Sequence, residues 1–156
     1  MLVVVDTNRI YSSLISKGKS FKVFRLNSLL KKFEFISPEF MFSEIGKNLD
    51  EIVIRSKLTK EELAKVFSFI KEQIDPVPFK DFNKYAAEAD KVCPHAKDIQ
   101  YFALSLAFNR CPIWSSENKL SKQTNIEIFD TDKMLSLLEE DSEEAEDERE
   151  AGNKSE

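Results

Sequence analysis

Asp6, Glu44, Asp98 and Glu117 are the side chains of this 156-residue chain best suited to do chemistry together. Asp6 directly follows the apolar run Leu2-Val3-Val4-Val5, and Glu117 follows Pro112-Ile113-Trp114-Ser115 by two residues. Asp98 opens residues 99–108, of which eight of ten are apolar or aromatic. A helix apolar on every side is normally buried. A carboxylate at its head is either an N-terminal cap or a ligand, since both use the positive end of the helix dipole. Four carboxylates brought to one place raise each other's pKa. A hard divalent cation relieves that repulsion. Magnesium or manganese (Mg2+ or Mn2+) takes oxygen ligands and keeps waters for a substrate phosphate. Such a centre suits phosphodiester hydrolysis, with water as the nucleophile. No cysteine or histidine nucleophile is evident.

The elements that must position these acids follow from pattern. Leu2-Val3-Val4-Val5 is unalternating and β-branched, which predicts a strand buried on both faces of a parallel sheet. Asp6-Thr7-Asn8 ends it, and helices are expected over 9–16 and from Ser20. Phe33-Glu34-Phe35-Ile36 is the next strand; Ser37-Pro38 then reads as a cap and first helical position, opening a helix to about Arg55. Met41, Ile45, Leu49 and Ile52 form its inward stripe, with Glu44 at the edge of that face. Thr59-Lys60-Glu61-Glu62 is a capping box, and two prolines limit 75–79 to an edge strand. Further helices are expected over 81–92 and after Asp98, strands at 112–115 and 126–129, and a closing helix over 131–138. Alternating strands and helices argue for an α/β fold with a mainly parallel sheet of about four to five strands. In such sheets ligands bind beyond the carboxyl ends of the strands, where Asp6 and Glu117 fall.

Composition narrows the function. Only three glycines, Gly18, Gly46 and Gly152, are present. That excludes a Gly-rich phosphate loop and a dinucleotide-binding fingerprint. His95 is the single histidine, so a multi-histidine zinc site is excluded. Cys93 and Cys111 show no metal or disulfide spacing, and no signal peptide precedes Asp6, so a reduced, cytoplasmic setting is expected. The net charge of −5 is uneven: residues 139–156 carry ten acids and two bases, and residues 1–138 are net positive. The expected organisation is one domain over 1–138 and an acidic disordered tail over 139–156. A mildly basic domain permits a nucleic-acid partner.

Taken in order, Val4-Val5-Asp6-Thr7-Asn8, Glu44, Lys97-Asp98-Ile99-Gln100-Tyr101-Phe102-Ala103-Leu104-Ser105-Leu106 and Pro112-Ile113-Trp114-Ser115-Ser116-Glu117 resemble the PIN domain family, in particular small toxin-type members of toxin–antitoxin pairs. The resemblance runs from residue 1 to about 138. It implies a three-layer α/β/α sandwich and a metal-dependent endoribonuclease acting on RNA. Carried over by position, it makes Asp6, Glu44 and Asp98 metal-coordinating and catalytic, with Mg2+ or Mn2+ as cofactor. Glu117 joins them, although such proteins more often have aspartate there. Asn8 and Ser115 become supporting residues that bond to the acids or a bound water. The resemblance leaves open an antitoxin protein as partner and a homodimer; no membrane association is expected.

Two other functions compete. A PIN-like scaffold that binds RNA or protein with a weakened site is motivated by Glu117. A phosphatase using Asp6 as nucleophile usually needs a second acid two residues on, where Asn8 stands. Other features have plainer readings. Trp114 reads as core, His95 as part of a turn, and Lys17, Lys19, Lys22, Arg25, Lys31 and Lys32 as a solvated face or a phosphate-facing patch. Phe67 and Phe69 fall on different faces of one helix, a hint of apolar surface for self-association.

Overall fold

The computed structural model describes residues 1–16, 18–116, 120, 123 and 125–154. Five parallel strands form one sheet: β1 (Leu2–Val5), β2 (Glu34–Pro38), β3 (Ile74–Val77), β4 (Ile113–Trp114) and β5 (Ile128–Phe129). Their order is β3-β2-β1-β4-β5. Each step is parallel, with Val3 opposite Phe35, Val5 opposite Trp114, and Trp114 opposite Phe129. The strand order changes direction at β1, so the gap between the ends of β1 and β4 is the topological switch point.

Eight α-helices are found among the described residues: α1 (Thr7–Ser16), α2 (Lys19–Leu30), α3 (Phe40–Lys47), α4 (Leu49–Ser56), α5 (Lys60–Lys71), α6 (Ala86–Val92), α7 (Ile99–Ala107) and α8 (Thr131–Lys154). Short 3-10 turns precede α6 and α7. Side chains alternate across a strand, and the core divides accordingly. Val3, Val5, Phe35, Trp114 and Phe129 face one layer, built with Ile10, Phe24, Met41, Leu63 and Leu138. Val4, Ile36 and Ile113 face the other, built with Phe82, Ala89, Phe102 and Leu104. This is the three-layer α/β/α sandwich. Trp114 is fully buried between Phe24 and Phe35, with ring centroids at 5.2 and 5.8 Å, so it is core. Among the described residues no helix is long and apolar enough to cross a membrane.

Several expectations need correction. Ser37 and Pro38 end β2 and do not open a helix. The Ser37 hydroxyl donates to the Val5 carbonyl at 2.9 Å, which a parallel neighbour strand places within reach. The helix expected to run to Arg55 is two, broken at Asn48, whose side chain donates to the Glu44 carbonyl at 3.1 Å. Phe67 and Phe69 are half-buried and meet Phe42 and Phe21 within the chain.

Residues 139–154, expected as a disordered tail, continue α8. Met134, Leu135 and Leu138 are buried and anchor this helix. Beyond them Lys22 pairs with Glu139 at 3.6 Å and Lys32 with Asp141 at 2.8 Å. Glutamate and alanine then propagate a helix that is already nucleated. The capping box does form: Thr59 Oγ1 accepts from the Glu62 backbone N–H at 3.1 Å.

Candidate functional site

Asp6 sits where β1 has just ended and α1 begins. Its carboxylate is buried, at 4% exposure. Two donors hold it. The Asn8 backbone N–H donates to Oδ1 at 3.1 Å, and the Ser115 hydroxyl to Oδ2 at 2.8 Å. Ser115 comes from the end of β4, so this second bond spans the switch point. The two strands arrive together because Val5 pairs with Trp114 and the Asp6 N–H donates to the Trp114 carbonyl at 3.2 Å.

Asp98 is equally buried, at 4%, where a 3-10 turn passes into α7. It occupies the cap position of α7, yet its side chain makes no capping hydrogen bond to that helix. Of the two roles open to a carboxylate at that place, the structure therefore does not use the cap. Tyr101 lies three residues on, on the same side of the helix. Its hydroxyl bonds to Thr7 Oγ1 and accepts from the Thr7 N–H at 3.3 Å. The Asp98 face of α7 is thus tied to the residue next to Asp6. Burial, opposed by the hydrogen bonds to Thr7 and aided by the charges of Asp6 and Glu44, pushes the Tyr101 phenol up to about 12. The phenol stays protonated at any physiological pH.

Glu44 is exposed on α3, close enough for its charge to be felt at Tyr101. Asn8 is exposed; it serves Asp6 through its backbone. Glu117 lies outside the described residues, as does Lys17 of the basic stretch. Among the described residues, no group of three or more histidine, cysteine, aspartate or glutamate side chains is placed to hold a metal ion. Asp6 and Asp98 are the buried acids, and Glu44 stands at the rim. The donor set is all oxygen, which fits a hard divalent cation. His95 belongs to a turn: its carbonyl accepts from the Asp98 N–H and from Cys93 Sγ, both at 3.0 Å. Lys19, Lys22 and Lys32 are paired with acids of α8.

The alignment that decides the family is with the PIN domain, over residues 4–139. The chain belongs to the PIN domain family. PIN domains are in general nucleases and generally use divalent metals. A search of curated proteins finds no match. Among solved structures, this PIN domain is similar to a chain in the crystal structure of VapBC2 from Rickettsia felis bound to a DNA fragment from their promoter. The TM-score is 0.61 at 14% identity, covering 83% of this chain and 98% of that one. At that identity the likeness is one of fold.

Thr7, Tyr101 and Arg9 complete the surroundings of Asp6 and were not singled out as site residues from sequence. One signal was available. A tyrosine inside an otherwise apolar buried helix must find a partner for its hydroxyl, and Tyr101 stands one turn from Asp98.

Proposed function

We propose that this PIN domain is a metal-dependent endoribonuclease of the toxin type. The reading is supported by two buried carboxylates: Asp6, at the switch point, and Asp98, which is not spent as a helix cap and heads the helix whose Tyr101 bonds to Thr7 beside Asp6. Asp6 and Asp98 would hold Mg2+ or Mn2+, with Glu44 and Glu117 completing the set. When bound, the cation supplies an acidified water and a positive charge beside the leaving oxygen of an RNA phosphodiester. The chain's own contribution is orientation. Ser115 and the Asn8 N–H fix both oxygens of Asp6, and a neutral Tyr101 bonds to Thr7 beside it. Supporting bonds of this kind hold a ligand's geometry and basicity. A cytoplasmic setting and an antitoxin partner go with this reading, since the similar Rickettsia chain was solved within VapBC2.

One observation favours a second reading, a catalytically weak scaffold. Glu44 is exposed, and the described residues assemble no set of three acids. Cleavage of a mixed RNA pool with Mn2+ and with EDTA, beside Asp98→Asn, separates the two. The nuclease reading requires cleavage that depends on both metal and Asp98. Folded protein that binds Mn2+ or RNA without turnover would instead make it a scaffold.

A further inference from the structure

Among the described residues Arg9 forms no ion pair, although it stands beside the acid site and feels the charge of Asp6. Its backbone N–H donates to the Asp6 carbonyl at 2.9 Å, so the residue starts one turn from the carboxylate. Its side chain lines a cavity of about 340 Å³. Its side-chain hydrogen-bond partners among the described residues are neutral hydroxyls: Ser116 at 2.6 Å, Ser20 at 3.3 Å and Thr131 at 3.4 Å. Nε is buried with no hydrogen-bond partner among the described residues. The two acids of the lining have partners of their own. Asp132 pairs with Lys19 at 2.9 Å, and Asp130 accepts from the Lys133 N–H at 2.7 Å. Burial lowers the Arg9 pKa, with the charge of Asp6 only partly opposing. A half-buried guanidinium held only by neutral hydroxyls can accept an anion, and phosphate oxygens match its fork. Hydroxyls can turn to donate to the same oxygens.

The two serines that follow β4 divide the work. Ser115 donates to Asp6, and its neighbour Ser116 accepts from Arg9. The cavity therefore adjoins the carboxylate along the carboxyl edge of the sheet. We infer that the Arg9 cavity binds a second phosphate of the RNA, next to the one cleaved at Asp6 and Asp98. This rests on the nuclease reading and adds a position to it. Ser20, Ser116 and Thr131 would share the phosphate oxygens, and Lys19 would stand at the entrance.

The test is binding of a fluorescent oligoribonucleotide to the full chain in EDTA, by anisotropy, across a salt series. Arg9→Gln should weaken binding about tenfold, the worth of one charged hydrogen-bonded contact. It should also lower the slope of log K against log salt by about 0.7, one single-strand phosphate. Arg9→Lys should keep the slope and lose part of the affinity. A scan of single neutral methylphosphonate linkages, made with wild type, needs no variant to fold. One linkage beside the cleaved one should weaken binding, and Arg9→Gln should be insensitive to it. Cleavage with Mn2+ by a protein for which no flanking linkage matters would overturn the subsite and leave the nuclease reading intact. Neither binding nor cleavage would overturn both. Inorganic phosphate that binds at Arg9, with RNA affinity unchanged in Arg9→Gln, would make the cavity a free-anion site and overturn the RNA assignment.

Discussion

Ser115 and Asp6, 109 residues apart in sequence, are joined by a buried 2.8 Å hydrogen bond that crosses the point where the strand order reverses. The bond fixes one oxygen of Asp6, while the backbone of Asn8 fixes the other. Ser115→Ala removes the first and leaves the second. Metal affinity or RNA cleavage is expected to fall about 10- to 100-fold. Titration of Mn2+ beside cleavage rates checks this; unchanged values in a folded variant would show that Asp6 needs no such support.

Asp98→Asn is expected to abolish metal-dependent cleavage, by at least about 100-fold, while the unfolding free energy stays within about 1 kcal/mol of wild type. Asparagine matches aspartate in size, and Asp98 makes no capping bond to α7 that the change could remove. Loss of activity in that variant is therefore a loss of charge at the site and not of the helix. Urea denaturation beside the cleavage assay reads both quantities.

Alkaline pH should destabilise the protein through two buried groups. Burial lifts Tyr101 from 10.0 to about 12 and Cys111 from 9.0 to about 11. In each case the folded state holds its proton where the unfolded chain has released it. Stability is then full below about pH 9 and falls as pH rises toward 12, by about 2–3 kcal/mol for each group. Denaturation midpoints between pH 8 and 11.5 should decline. Tyr101→Phe should flatten the upper part of that decline and Cys111→Ala the lower part. A midpoint independent of pH over this window would contradict the burial.

The acidic end of α8 and its apolar start should separate in stability. Leu138 is fully buried, so Leu138→Ala should cost about 2–5 kcal/mol. Truncation after Ser142 keeps Leu138 and the Lys32–Asp141 pair and should change stability by less than about 0.5 kcal/mol. Urea midpoints of the two variants give the comparison. A large loss on truncation would mean that the acidic turns pack as well as extend.

The positions of Asp6 and Asp98 were legible because each borders a strongly apolar segment, Val3 to Val5 and Tyr101 to Leu106. Such segments have one stable place, the interior, so the polar residue that ends them falls at its edge. Glu44 was less legible. The break at Asn48 comes from a side chain bonding back to the Glu44 carbonyl, a local choice that competes with helix continuation and leaves no apolar pattern. Arg9 was invisible for a different reason. Its partners Ser20, Ser116 and Thr131 lie on α2, after β4 and on α8, and only the packed sheet gathers them.

By itself the sequence determined the α/β class, the burial of β1 and α7, and the exclusion of phosphate-loop, dinucleotide and multi-histidine chemistry. Hydrophobic periodicity and residue counts act locally, and they survive without knowledge of the partner strand. Tertiary structure alone decided the strand order, and with it which loops meet at the switch point. It also decided that Asp98 makes no capping bond, that Ser37 and Pro38 stay in β2, and that the acidic stretch continues α8 from an anchored start. Each of these depends on what a distant segment offers: a carbonyl of Val5 for Ser37, or lysines of α2 for Glu139 and Asp141. A side chain that can bond locally or at a distance takes the distant partner only when packing has already placed it within reach.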